Sequence, residues 1–346
     1  MLNTLQRSNF EPFGQFQVLP ATHMVWRSLC VAVEKSKPLE TLGSSKLTPN
    51  PMKHFLNIIL IIAVAPVAPA QNTPQNPTGT AEILPTKAID RSRYNLFNPT
   101  PPTQMRDFAP DRPNITNGPY TVDPGHFLLE LGLFEYTRDN GAHVRLDGFA
   151  FGDTNVRLGV TSNAEMDLLF TAYSYFKIRD KDTGAHLKQS GFSDLTLRSK
   201  INFFGDDGGS FAIGLIPSIT FPSGADGVGN RGFAGGVGLP VQFALPGDFQ
   251  LGIETTIQTV HEPGGGSLFD YLNSISLGHQ ITKKLSTYVE FATDVSTAAH
   301  TGWIGTIDTA LVYQPVNNWQ LDAGVNIGVT RAANDLFTFV GAAWRY

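Results

Sequence analysis

The chain has one cysteine, Cys30, in 346 residues. A single thiol excludes an intrachain disulfide framework and any metal site built from several thiolates. Charge is scarce as well: 16% of residues are charged, where soluble domains carry about 25%. Long apolar runs are missing. The longest, FLNIILIIAVAPVAPA at 55–70, holds two prolines and falls short of the roughly 20 apolar residues a spanning helix requires. A basic excess is missing too, since 25 Lys/Arg face 30 Asp/Glu. Paired histidines at metal spacing such as H-x-x-x-H are absent. What remains is an aromatic and glycine-rich chain, with 24 Phe and 34 Gly.

The 55–70 run reads as an export signal. Lys53 supplies a positive start, 55–65 an apolar stretch, and Ala68-Pro69-Ala70 a small-x-small cleavage site before Gln71. The signal begins at Met52, so residues 1–51 are expected to be an upstream extension from a wrongly chosen start. Residues 1–70 hold Cys30, six of the 25 basic and three of the 30 acidic residues, leaving an exported chain with no thiol and net charge −8. An acidic exported chain is a poor ligand for nucleic acid, whose phosphates recruit Lys and Arg. Residues 71–105 are rich in Pro, Asn, Gln and Thr without periodicity, and are expected to be a disordered periplasmic lead. Residues 106–125 are Pro-rich yet run unbroken into the first strand, and are expected to be a periplasmic or plug segment.

From residue 126 onward the pattern has period two, the signature of strands. Alternation and turn signals predict twelve: 126–137, 144–160, 165–178, 193–203, 211–221, 233–245, 249–260, 271–281, 285–295, 303–313, 319–329 and 336–346. Most approach the roughly 9–11 residues of a tilted membrane strand. Connections at 161–164, 205–209, 246–248, 282–284 and 314–318 are short, and those at 179–191, 222–232, 261–270 and 296–302 are longer. Short turns on one side and long loops on the other are the rhythm of outer-membrane barrels. In lipid an open sheet edge is prohibitive, so the expected fold is all-β: a closed antiparallel transmembrane barrel over 126–346.

Alternation then sorts the polar face into the lumen. The acidic candidates there are Glu130, Asp147, Asp167, Asp194, Glu254, Glu290, Asp294, Asp308 and Asp322. The basic ones are Arg145, Arg157, Lys177, Arg198, Lys200 and Arg345. Tyr173 and Tyr175 join them, with Phe134, Tyr136, Tyr288 and Phe339 also pointing inward in this assignment. Such charges either tune which solutes pass, as charged rings do in pores, or pair with one another to brace the wall. The inward aromatics either line a path for apolar solutes or narrow it.

Three groups of residues carry a family resemblance. Asp111-Arg112-Pro113, Gly118-Pro119-Tyr120-Thr121-Val122, and Pro124-Gly125-His126-Phe127 with Glu130 form a D-R-P, P-Y-T-V, P-x-G-x-F-x-x-E series. The residues at 191–197, GFSDLTL, and at 215–222, LIPSITFP, continue it, and the end, 341–346, completes it. On these the stretch 106–346 resembles the MetA-pathway of phenol degradation family of outer-membrane transporters. The segment departs from that family's pattern at 114–117, where an acidic residue and a Ser are expected. The closing residues Trp344 and Tyr346 resemble the terminal signal read by the barrel assembly machinery.

Other chemistry is weaker. Residues 227–232, GVGNRG, spell G-x-G-x-x-G, but a Gly-rich strand follows where a dinucleotide site needs a helix. His143, His186, His261 and His300 fall in or beside loops, and His279 faces lipid with no serine in register, so a lipid hydrolase is the least favoured reading. The sequence therefore predicts a non-enzymatic outer-membrane channel, without a cofactor or metal, for passive passage of small solutes including hydrophobic or aromatic ones. Its expected partners are outer-membrane lipid, the assembly machinery and the solute. The alternative is an anchoring barrel with no conducting pore.

Overall fold

The computed structural model describes residues 90–230, 232–261, 266–298 and 302–346. The expected extension, the export signal, Cys30, His300 and the first part of the lead lie outside the described residues. Strands dominate the rest: β1 (Phe127–Asn140), β2 (Val144–Thr161), β3 (Ala164–Asp180), β4 (His186–Gly191), β5 (Leu195–Phe204), β6 (Phe211–Phe221) and β7 (Ala234–Leu245). They continue with β8 (Phe249–His261), β9 (Ser267–Thr282), β10 (Leu285–Ser296), β11 (Ile304–Val316), β12 (Trp319–Gly328) and β13 (Leu336–Arg345).

Every neighbour is antiparallel, and the last strand pairs with the first, Leu129 opposite Trp344 and Thr137 opposite Phe337. That pairing closes the sheet and leaves no wall-length edge, as hydrocarbon demands. There are thirteen segments but twelve staves, because β4 and β5 both pair with β3 and form one interrupted stave. The break falls at residues 192–194, where buried Ser193 turns inward to accept a hydrogen bond from Thr171 N at 2.6 Å. The sequence predicts a loop over 179–191; its second half is instead β4, whose HLKQSG alternation is too polar to read as a membrane strand.

Outward positions are apolar, for example Leu168, Ile219, Leu277, Val289, Leu311 and Val340. Inward positions are buried and polar: Glu130, Arg157, Glu165, Asp167, Lys200 and Glu290 are each at most 3% exposed. A solvated sandwich would show the reverse. The hydrophobic face meets lipid and the polar face fills the inside.

One irregularity resets the alternation on three adjacent strands. Along β1, Leu128, Glu130 and Gly132 are buried, then Glu135 and Thr137, with a register shift between Gly132 and Phe134. In β2 the step occurs beside Gly152, whose φ of +66° suits a residue without Cβ. In β3 it falls between Thr171 and Ser174, both buried. Past this bulge the faces exchange, since one extra residue flips every later side chain. Five expected lumen residues are corrected by it. Arg145, Asp147, Tyr173, Tyr175 and Lys177 lie on the outward side, opposite the buried Leu146, Ser174, Phe176 and Ile178. Phe134 and Tyr136 move outward for the same reason.

The expected disorder of the lead does not extend to residue 105. Asn95 bridges Thr161, Leu96 N donates to Val160 O at 2.9 Å, Tyr94 is buried, and residues Pro102–Gln104 make a 3-10 turn. A segment without periodicity can still order when its backbone groups find partners on a rim, which a search for periods does not detect.

Candidate solute pathway

Residues 106–125 rise from one rim into the barrel and return to it. The foot is hydrogen-bonded: Thr100 N to Pro124 O at 3.0 Å, His126 Nε2 against Thr100 O at 2.7 Å, and Arg106 N to Asp123 Oδ2 at 2.9 Å. This rim carries the shortest connections, residues 162–163, 283–284 and 317–318, which marks it as periplasmic. Arg106 reaches Asp206 and Asp207 in the turn after β5, at 3.4 and 2.8 Å. Thr121 donates to Asp206 through both its backbone N–H and its hydroxyl. Burial pushes the Asp206 carboxyl above its ordinary range, with Arg106 and Thr121 opposing that shift.

Inside, the wall's charged side chains hold the segment's backbone. A proline-rich stretch has few internal hydrogen bonds, so its N–H and C=O groups need external partners when buried. Glu290 accepts from Ile115 N and Thr116 N, each at 2.8 Å, and from the Thr116 hydroxyl at 2.5 Å. Glu254 accepts from Asn117 N at 2.7 Å, and Glu165 from Val122 N at 2.5 Å. Arg157, fully buried, donates to Ala109 O and Tyr120 O while paired with Glu130 and Glu165. Arg345 donates to Arg106 O at 2.9 Å.

Two charged residues of the segment dock in opposite directions. Asp111 meets Lys200 Nζ at 2.6 Å, Arg198 Nη2 at 2.9 Å and Arg157 Nη1 at 3.5 Å. Burial alone would raise its carboxyl, yet Arg157, Lys200 and Arg198 overcome that and hold it below the usual carboxylate range. Arg112 points across the barrel to Asp322 at 2.9 Å, with the Phe339 ring centroid 5.8 Å from its guanidinium carbon. It lies over a gap in the wall made by two directly paired glycines, Gly132 and Gly341. A Cβ at Gly341 would stand 2.1 Å from Arg112 Nη2, and one at Gly132 would stand 3.3 Å from Nη1.

The segment divides the lumen. A cavity of about 260 Å³ on the extracellular side is lined by Glu135, Asp153, Asn155, Gln258, Asp294, Thr306 and Phe337 among others. A second, of about 570 Å³ on the periplasmic side, is lined by Asp206, Gln242, Gln250, Gln280, Gln314 and Gln320 among others. Asp111, Arg112, Pro113, Asn114 and Asn117 line both, so these residues are the septum between two vestibules. Above it, residues 222–230 fold inward. Val228 is fully buried against Leu146, Phe176 and Ile178, and Asp194 accepts from Gly224 N at 2.7 Å and Asn230 N at 2.5 Å. Of the G-x-G-x-x-G stretch, residues 227–230 are thus part of an inturned loop.

Of the residues expected in the lumen, Glu130, Arg157, Asp167, Asp194, Arg198, Lys200, Glu254, Glu290, Asp294, Asp308, Asp322 and Arg345 have inward positions. Glu130, Arg157, Arg198, Lys200, Glu254, Glu290, Asp322 and Arg345 bond the segment directly, while Asp167 pairs with Arg198 and Asp194 holds the 222–230 loop. Sequence reasoning missed Asp111, Arg112, Glu135, Asp153, Glu165 and the glycine pair. The D-R-P motif was the available signal: two opposite charges beside a proline suit a segment anchored on two walls. At the rim that carries the segment's feet, Trp344 and Tyr346 are outward and pack edge-on or stacked against Phe127, at 6.2 and 5.4 Å between centroids.

A family model described as "Putative MetA-pathway of phenol degradation" matches residues 110–346, more than half of the chain. Among solved structures, the COG4313 outer membrane channel from Pseudomonas putida F1 is similar at a TM-score of 0.50 and 10% identity, covering 64% of this chain and 94% of that one. The NanC porin is similar at a TM-score of 0.42 and 10% identity, covering 62% and 98%. The NalP translocator domain from Neisseria meningitidis gives a TM-score of 0.42 at 12% identity, covering 64% and 88%. No curated protein matches in sequence.

Proposed function

The chain belongs to the MetA-pathway of phenol degradation family, and from that premise we propose that it is a passive outer-membrane channel whose N-terminal segment is a removable septum. The observation that carries this reading is the pair of vestibules separated by residues 111–117 alone, within a wall that is otherwise closed. The contacts across the lumen are polar and involve the segment's backbone, so withdrawal exchanges them for water without dismantling the barrel. The solutes are small and uncharged, including aromatic ones. Support comes from the extracellular vestibule, where Phe337, Phe339, Leu169, Ile216 and Leu272 lie beside carboxylates that would repel anions. Export through the signal at 52–70 and insertion guided by Trp344 and Tyr346 complete the proposal.

The test is solute flux into liposomes, comparing phenol with a sugar of similar size, for the whole protein and for one with residues 108–119 replaced by a Gly/Ser linker. Faster flux in the replaced protein, and phenol favoured over sugar in both, is the expected result. Equal and negligible flux in both would point to the anchoring barrel and sink the channel.

A further inference from the structure

The face exchange on β1–β4 leaves a feature that neither the pathway nor the fold requires. Past the bulge, two rows of outward side chains cross four strands at the extracellular end. Register pairs Arg138 with Asp147, Asp147 with Lys177, and Lys177 with Lys188. One step higher, Arg145 stands opposite Arg179, and Arg179 opposite His186. Arg138, Lys177, Arg179 and Lys188 are exposed. At strand spacings of about 4.8 Å and two-residue steps of about 7 Å, the cations occupy a patch roughly 14 Å across.

Like charges directly opposite in a sheet destabilise it, and this wall places Lys177 against Lys188 and Arg145 against Arg179. The lone anion in the rows, Asp147, is already engaged by Arg145 at 2.9 Å and by the Tyr136 hydroxyl at 2.9 Å. The side chains of Lys177, Arg179 and Lys188 have no hydrogen bond or ion pair among the described residues. Below the cations the same face turns aromatic, with Tyr136, Phe149 and Tyr175 in one row and Phe134, Phe151 and Tyr173 in the next. Elsewhere at this end of the wall the outward residues include Phe221, Phe233, Phe269 and Trp303. Among the described strand residues, the outward cations at this end lie on β1–β4.

We propose that this outward patch is a docking site for a phosphorylated glycolipid of the outer leaflet, lipopolysaccharide, whose phosphates sit on the cationic rows while its acyl chains descend along the aromatic rows. Charge and polarity change at the same height in both molecules. A soluble anion would use the cations alone, whereas a lipid phosphate brings its own acyl chains against the aromatic rows directly below them. The phosphates offset the like-charge pairs.

The experiment uses the folded whole protein in detergent and measures binding of bisphosphorylated lipid A and of the same lipid after phosphatase treatment by native mass spectrometry. The expected result is preference for the phosphorylated form. In the triple variant Lys177→Gln/Arg179→Gln/Lys188→Gln, affinity should fall about fivefold for each cation removed, roughly a hundredfold together. Equal binding of the two lipids by the unaltered protein overturns the proposal without recourse to any variant. Displacement of the lipid by inorganic phosphate at equal concentration would overturn it too, showing a free-anion site. A folded triple variant that binds as tightly as the unaltered protein would do the same.

Discussion

Replacing Asp111 by Asn tests whether the septum is held by charge. The amide keeps the side chain's shape and removes the one carboxylate that the segment offers to Arg157, Arg198 and Lys200. Breaking a buried ion pair by removing one partner costs about 3–5 kcal/mol, because a buried charge is stranded. Here Arg157 keeps Glu130 at 3.0 Å and Glu165 at 2.8 Å, and Arg198 keeps Asp167 at 2.7 Å. Lys200 keeps only Glu165 at 3.8 Å. One stranded cation among three places the loss at the low end, about 3 kcal/mol. At 1.4 kcal/mol per tenfold, the undocked population should rise roughly a hundredfold. Single-channel recording in planar bilayers reads this directly, as the fraction of time spent in a higher-conductance state. The pH dependence follows from the lowered carboxyl of the docked state. Its contribution is present above the ordinary carboxylate pKa and is lost only as pH falls through the depressed docked value. The unaltered protein should therefore stay mostly closed when pH is lowered into the ordinary carboxylate range, and Asp111→Asn should open as often at neutral pH as at acid pH. Recordings of a folded Asp111→Asn barrel that match the unaltered protein at neutral pH would refute the reasoning.

Two further perturbations act on the same segment. The hydroxyls of Thr116 and Ser274 are 2.8 Å apart, so cysteine sulfurs at these positions would need only a small side-chain rotation to bond. Thr116→Cys/Ser274→Cys should lock the septum when oxidised and restore openings when reduced, read as conductance before and after reductant. Gly341→Ala should displace the Arg112 guanidinium from Asp322, since the added carbon would stand 2.1 Å from Nη2. Its expected signature is more frequent opening with little change in the barrel's heat-modifiable gel shift; unchanged gating would show that the pair with Asp322 does not restrain the segment.

The barrel was legible because lipid imposes one rule on every strand: apolar outside, and no free edge. That rule writes a period of two into β6, β10 and β12, and it sets the expected staves. The bulge was not legible. Gly132-Leu133 and Phe151-Gly152 each look like ordinary strand residues, and a phase shift shared by three strands leaves every local alternation intact. Tyr173, Tyr175 and Lys177 were misplaced for that reason. The role of the inward charges was half legible. Their facing follows from alternation, but some of their partners lie far away in sequence: Asp322 is 210 residues from Arg112, and Glu290 is 174 from Thr116. No window of local pattern contains either pairing. The segment itself, Pro-rich and aperiodic, has its order written in the wall that receives it.

The segment's two feet stand on the same rim and are bonded to each other through Thr100, Pro124, Asp123 and His126. It is thus a tethered loop, and its release is a first-order event. Dilution cannot remove it, and its local concentration beside its own binding site stays in the millimolar range or above, as for any short linker. Reclosure should follow each opening at a rate set by the chain alone, independent of how many copies the membrane holds. With both feet on the rim of short turns, the proposed release lets the loop sag toward that rim. In the proposed channel, a solute arriving from outside would meet a door that swings inward.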